Sequence, residues 1–329
     1  MDIVWLLIGL ALIIFGASWL TDGSSAIARR MGVSDLVIGL TVVAFGTSAP
    51  ELVISVVSAI NDAPGLAVGN VVGSNIFNIL AIIGVTAMVR PIKVERSILT
   101  NEIPFVLLTS LLLLVMGNGP LLDRESSAAI SRVDGIVLLL VFAIFMRYTF
   151  SQASKPQPAE AASNTEMESV GASIKPIPLW RAILMVVAGL AGLVFGGDRF
   201  VAGASGIASA LGVSDAIIGL TIVAAGTSLP ELATSVAAAL KGRPGIAVGN
   251  VIGSCIFNVL MILGIAATVR ELPLGTIGNF DLLTLTGASL LFWLFGWIIG
   301  TRTIKRSEGA VMAAGYCAYI VTLVLQAIR

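Results

Sequence analysis

The sequence predicts an all-α polytopic membrane protein of ten transmembrane helices, arranged as two inverted five-helix repeats with helices 2 and 7 broken. Three observations carry that expectation. The 329 residues are 57% hydrophobic and 12% charged, with a mean hydropathy of +1.01, whereas soluble domains carry roughly 45–50% apolar and about 25% charged residues. Apolar runs near the roughly 20 residues that cross a bilayer recur along the chain, for example at 3–20, 133–150 and 311–327. The sequence also repeats itself at a spacing of 180 without a gap, with about 37 identities in 59 positions between 32–90 and 212–270. A repeat this strong sets the architecture.

The first copy, 1–150, reads as helices at about 3–28, 34–61, 65–89, 99–116 and 131–150. The second, 179–329, reads as helices at about 180–209, 214–241, 245–269, 279–299 and 307–327. The best-matched repeat cores are about 34–89 and 214–269. Between the copies, 151–178 is rich in Ala, Ser, Pro and Glu and reads as a polar, disordered linker. Ser34-Asp35 and Ser214-Asp215 are expected to cap helices 2 and 7.

Five helices per copy is an odd number, so the second copy must enter the membrane from the opposite side. The basic residues test this, because cytoplasmic loops are enriched in Lys and Arg. Arg29 and Arg30 follow the first helix, where the second copy has Ser209 and Ala210; Lys241 and Arg243 follow the seventh, where the first copy has Asn61 and Ala63. With both termini outside and the linker cytoplasmic, 14 of the 19 Lys and Arg fall inside, leaving Arg124, Arg132, Arg199, Arg270 and Arg329 outside. The expected location is the cell membrane, inner or plasma. Trp5, Trp19 and Trp180 read as interface anchors, and Asp22, Asp198 and Arg199 as interfacial groups toward the outer ends of helices one and six.

Composition also excludes. Net charge is zero, so no nucleic-acid or acidic partner is implied. No histidine occurs, and the two cysteines, Cys255 and Cys317, sit in apolar segments, which removes the usual zinc ligands and a disulfide framework. Met1-Asp2-Ile3 lacks a cationic leader region, so the first apolar run reads as a retained helix. Without a His-Glu-x-x-His or cysteine cluster a membrane metalloenzyme is disfavoured. No catalytic residue, cofactor or obligatory protein partner is expected, and the chain is read as a functional monomer. Inverted repeats with interrupted helices recur instead in secondary transporters, with sites near the bilayer midplane.

The chemistry lies in Gly46-Thr47-Ser48-Ala49-Pro50-Glu51 and its mate Gly226-Thr227-Ser228-Leu229-Pro230-Glu231. Glu51 falls well inside a predicted apolar helix, where a carboxylate costs several kcal/mol unless solvated or paired. A buried salt bridge is the bland alternative, but no Lys or Arg is expected at that depth. Pro50 and Pro230 lack an N–H, leaving the Gly46 and Gly226 carbonyls unpartnered and the helices kinked. Freed carbonyls, the Thr47, Ser48, Thr227 and Ser228 hydroxyls, and the two carboxylates are hard oxygen ligands suited to calcium, which takes 6–8 of them. The next helix adds Asn70, Ser74 and Asn78 on one face, repeated as Asn250, Ser254 and Asn258. Glue between helices, aided by Gly69-x-x-x-Gly73 and Gly249-x-x-x-Gly253, competes with ion lining for these residues. For Asn70 and Asn250 the two readings are even; for the other four, ion lining is favoured.

On these residues the sequence resembles the cation/calcium exchanger superfamily, in its prokaryotic sodium/calcium exchanger branch. The resemblance rests on Gly-Leu-Thr-Val-Val-Ala-Phe-Gly-Thr-Ser-Ala-Pro-Glu at 39–51, its counterpart at 219–231, and the Gly-Asn-Val-x-Gly-Ser-x-Ile-Phe-Asn block after each. It implies antiport of calcium against sodium by alternating access, with both ions bound between the repeats. Glu51 and Glu231 with the Thr47 and Thr227 carbonyls would hold calcium. Ser48, Ser228, Ser74 and Ser254 with the Ala44 and Ala224 carbonyls would line sodium sites, and Asn78 and Asn258 would complete the centre. Some members carry Asp at the position of Asn258, linked to potassium use, so Asn favours potassium independence. The 28-residue linker is too short for the calcium-sensing domains of animal exchangers. The nearest rival is a calcium/proton antiporter, since two close carboxylates could share protons; a cation channel is a more distant one.

Overall fold

In the computed structural model, which describes residues 1–61, 63–122, 128–153, 177–212, 224–299 and 302–328, apolar helices follow one another at the expected places. Helix α1 (Asp2–Met31) stops at Gly32, whose φ of 67° is the left-handed conformation glycine tolerates best. Ser34 then caps α2 (Asp35–Thr47), its hydroxyl accepting the Val37 N–H at 3.3 Å. After Ser48 the chain bends by 49° into α3 (Ala49–Ile60). The break thus falls two residues before Pro50, which sits in the first turn of α3, where a missing N–H costs little. Helix α4 (Pro64–Val89) leads to β1 (Ile92–Lys93), and α5 (Ile98–Met116) to β2 (Ala129–Ile130) and α6 (Arg132–Ala153).

The second copy follows with α7 (Leu179–Ala210), α8 (Leu229–Leu240), α9 (Pro244–Val269), β3 (Leu272–Pro273), α10 (Asn279–Trp297), β4 (Thr303–Ile304) and α11 (Arg306–Ile328). Among the described residues, eight helices are long and apolar enough to cross a membrane, and the bent pair α2–α3 makes a ninth. Of the expected seventh helix, the turn Ala224–Gly226 and α8 are described. The predicted caps Ser214 and Asp215 and most of the linker lie outside the described residues.

Equivalent helices of the two copies are equally buried: 83% for the spanning windows of α4 and α9, 44% for α5 and α10, 28% for α1 and α7, and 22% for α6 and α11. The pairing is reciprocal. α4 packs on α11 and α9 on α6, while α1 runs along α7 and α5 along α10. Two short antiparallel ladders, β1 with β4 and β2 with β3, each join the copies, placing Ile92 opposite Ile304 and Ile130 opposite Leu272. These two-residue ladders add short ties between the copies to a mostly helical fold. Strands this short carry no period-two pattern for a sequence to display.

The apolar core divides in two. The larger part surrounds α4 and α9, with Val71, Ile76, Ile79, Val251, Ile256 and Val259 almost wholly buried. The smaller joins Ile13, Ala17 and Leu20 of α1 to Val186 and Leu193 of α7. Along that seam the backbones touch: a Cβ on Gly16 would lie 2.8 Å from the Gly189 carbonyl oxygen. Gly253 on α9 likewise admits α2, since its Cβ would fall 2.6 Å from that of Ala44.

The charged ends supply one correction. Asp22 pairs with Lys241 at 2.7 Å, and α1 carries it only seven residues before Arg29. It therefore belongs to the end of α1 where the basic residues gather, not to the opposite end. Arg199 lies over the Trp5 ring at 4.9 Å beside Asp198.

Candidate cation site

The two helix breaks face each other. Glu51, in the first turn of α3, and Glu231, in the first turn of α8, are each 1% exposed. Both sit where the exposed N–H groups of a helix start favour negative charge. The hydroxyl at each break serves the other copy's carboxylate: Ser48 Oγ donates to Glu231 Oε1 at 3.1 Å, and Ser228 Oγ donates to Glu51 Oε1 at 3.1 Å. The second oxygen of each carboxylate is buried without a partner. Among the described residues no Lys or Arg bridges either glutamate, so the bland salt-bridge reading fails.

Other orphaned groups collect on the same residues. Of twelve buried side-chain N and O atoms without a partner among the described residues, six belong to Glu51, Glu231, Ser254, Asn78 and Asn258. Native interiors leave few such atoms, and a set of oxygens around two uncompensated carboxylates is what a cation would satisfy. Asn78 and Asn258 lie in π-helical turns, Phe77–Ile82 and Phe257–Leu263, that interrupt α4 and α9. Such turns concentrate at functional sites.

Asn70 and Asn250 hold the scaffold. Asn70 Nδ2 donates to the Glu51 carbonyl at 3.3 Å and to Ser55 Oγ at 3.0 Å; Asn250 Nδ2 donates to the Glu231 carbonyl at 3.3 Å and to Ser235 Oγ at 3.1 Å. Each fixes the backbone beneath a carboxylate, and Asn250 Oδ1 also accepts from Thr47 Oγ1 at 3.1 Å. The even choice between glue and function resolves to positioning.

Among the expected site residues, Thr47, Ser48, Ser74, Asn78, Ser228, Ser254 and Asn258 are all buried, and Thr227 is partly so. The Ala44 carbonyl already accepts the Ser48 N–H at 2.9 Å and the Thr47 hydroxyl at 3.3 Å. Ala224 lies at the edge of the described chain, in the turn Ala224–Gly226. Among the described residues no three His, Cys, Asp or Glu side chains could hold a metal ion; two carboxylates supply charge, and the other available oxygens are neutral. Sequence reading missed Asn75, which bonds Asn258, and two buried acid–tyrosine pairs, Tyr148 to Glu102 at 3.0 Å and Tyr319 to Asp281 at 2.8 Å. The missed signal was available in outline: Glu102 and Asp281 are isolated acids early in otherwise apolar helices.

A multi-pass helical bundle with two buried carboxylates among neutral oxygens has the architecture of an ion-transporting membrane protein. The sequence pattern of the family described as "Sodium/calcium exchanger protein" matches residues 1–151 and 181–325. The chain is 37% identical over 322 residues to the putative antiporter CaxA of Alkalimonas amylolytica, covering 96% of each. It is 32% identical to the sodium/calcium exchanger MaX1 of Methanosarcina acetivorans, covering 97% of each. A solved structure of the sodium-calcium exchanger NCX_Mj, soaked with 2.5 mM Na+ and 0.1 mM Ca2+, superposes with a TM-score of 0.81 at 35% identity, covering 98% of each chain. The chain belongs to the sodium/calcium exchanger family.

Proposed function

We propose that this protein exchanges calcium for sodium across a cell membrane by alternating access, binding both ions between two inverted repeats near the bilayer midplane. The observation that carries the reading is the crossed pair of carboxylates: each is buried, tied at one oxygen to the other copy, and unpartnered at the second. One divalent ion or several monovalent ions neutralise the pair, whereas an empty, doubly charged centre is costly to enclose. Only loaded forms then change conformation readily, which couples the two fluxes.

In this reading Glu51, Glu231 and the carbonyls of Thr47 and Thr227 hold calcium. Ser48, Ser74, Ser228 and Ser254 with the Ala44 and Ala224 carbonyls serve sodium, and Asn78 and Asn258 close the centre. Using Ala44 requires its present hydrogen bonds to yield. The divided core supports alternating access, because α1 and α7 pack in a smaller apolar cluster, shared with residues of α2, α8 and the start of α9, beside the larger α4–α9 core. The repeats 1–150 and 179–329, with both termini outside and 151–178 cytoplasmic, complete the proposal, and the monomer is its functional unit. The pairing of Asp35 with Arg243 at 3.7 Å and of Asp22 with Lys241 at 2.7 Å supports one shared basic face.

The test is calcium uptake by proteoliposomes loaded with sodium and diluted into sodium-free medium. Uptake that follows the sodium gradient supports the exchanger. Uptake that follows a pH gradient and ignores sodium replaces it with proton antiport, and uptake driven by voltage alone indicates a channel.

A further inference from the structure

The two copies are not equivalent at one buried position. Residue 75 is Asn, but its counterpart at 255 is Cys. Asn75 is 1% exposed and Cys255 is fully buried. Asn75 Nδ2 donates to the Cys255 backbone carbonyl at 3.1 Å, and its Oδ1 accepts from Asn258 Nδ2 at 3.0 Å. The direction of this chain is fixed by its anchor. A backbone carbonyl only accepts, so Asn75 must turn its NH2 toward residue 255 and its oxygen toward Asn258. Asn258 must answer with its own NH2, and its Oδ1 is left buried with no protein partner.

Asn78, the counterpart of Asn258, has no such anchor. Where Asn78 would need the counterpart of Asn75 as its anchor, the chain has Cys255, whose thiol is a weak hydrogen-bond partner, and both amide atoms of Asn78 are buried without a partner. The π turn carrying Asn258 packs on α3, the helix of Glu51, and the π turn carrying Asn78 packs on α8, the helix of Glu231. One amide of the site therefore has its orientation set by hydrogen bonds and the other does not.

Resting on the exchanger reading above, we propose that Asn75 is a positioning residue that commits the Asn258 side-chain oxygen to the cation site, making the two halves of the site chemically unequal. Asn258 then acts as a permanent oxygen donor. Asn78 rotates, offering oxygen to a cation or its NH2 to a carboxylate when the cation has left.

The informative variant is Asn75→Cys, because cysteine already occupies the equivalent position in the second copy and fits its packing. Sodium-driven calcium uptake by this variant should show a half-saturating calcium concentration raised about three- to ten-fold, the range for one lost hydrogen bond, with the maximal rate changed less than two-fold. An Asp at 258 has two equivalent oxygens and needs no orienting; a carboxylate there would also oppose the fixed Asn75 oxygen. Asn75→Cys should accordingly lose its harm, or become beneficial, in the Asn258→Asp background. Calcium-dependent thermal stabilisation of the detergent-purified protein gives the same comparison without turnover, should Asn258→Asp transport too slowly to measure. An unchanged calcium half-saturation in Asn75→Cys overturns the proposal, as does an equal penalty in both backgrounds. If the unsubstituted protein takes up calcium without regard to sodium, the exchanger reading fails first, and the calcium-binding comparison still decides the role of Asn75.

Discussion

The α4–α9 centre and the α1–α7 seam are built from the same apolar alphabet but arranged for opposite purposes. The central pair is buried over 83% of its spanning windows and carries Asn70 and Asn250, which hold the backbone carbonyls of the two glutamates. The seam pair is buried over only 28%, and where its backbones touch it offers glycine rather than polar ligands. At the centre, directional hydrogen bonds such as those of Asn70 and Asn250 specify one geometry. Along the seam, contact between the backbones is nondirectional, and the polar ties of α1 to α8 gather at one end, where Lys241 reaches Ser18 and Asp22. Under the proposed exchange, binding would fall to the central pair and relative movement to the seam.

The largest effect should come from attacking the centre. Glu51→Gln or Glu231→Gln removes one of two charges available to calcium, and we expect about a 100-fold or greater loss of sodium-driven calcium uptake. Retained uptake in either variant would move the site elsewhere. Gly16→Leu attacks the seam: its side chain meets the Gly189 carbonyl, and overpacking of this kind costs about 1–3 kcal/mol. The melting temperature should fall and the maximal rate drop more than calcium half-saturation changes. Equal damage to rate and affinity would erase the division of labour.

Smaller effects lie outside both regions. Tyr319→Phe removes the hydroxyl that donates to buried Asp281, at a cost of about 1 kcal/mol, read as a lowered melting temperature with calcium half-saturation kept. Asp22→Asn breaks a pair whose side chains are 30% and 44% exposed. Solvent screening limits its contribution to about 0–1 kcal/mol, so both stability and transport should stay close to those of the unsubstituted protein.

Much of this was legible in the chain. Helix lengths followed from apolar runs because lipid forces backbone groups to bond within each segment. The duplicated glutamates stood out because a carboxylate in an apolar run has a large cost that something must offset. The cap at Ser34 was likewise a local matter of one hydroxyl and the nearby Val37 N–H. The position of the break was less legible: Pro50 announced an interruption, but the bend fell at Ser48. The π turns at Asn78 and Asn258 were invisible, since one extra residue in a helical ladder leaves an all-apolar period unchanged. Asp22 was assigned to the wrong end of α1, and its pairing with Lys241, 219 residues away in the chain, places it.

By itself, then, the sequence determined the membrane class, the repeat, its helices and the two carboxylates, because each depends on composition or local spacing. Only the tertiary structure decided how those parts serve one another. It crossed Ser48 to Glu231 and Ser228 to Glu51, turned Asn70 and Asn250 into supports for carboxylates 19 residues away, and set Asn75 against Asn258. The physical reason is that a hydrogen bond depends on distance and direction in space. A sequence repeated at a spacing of 180 shows that two glutamates correspond, but not which oxygen each receives its proton donor on, nor which is left free.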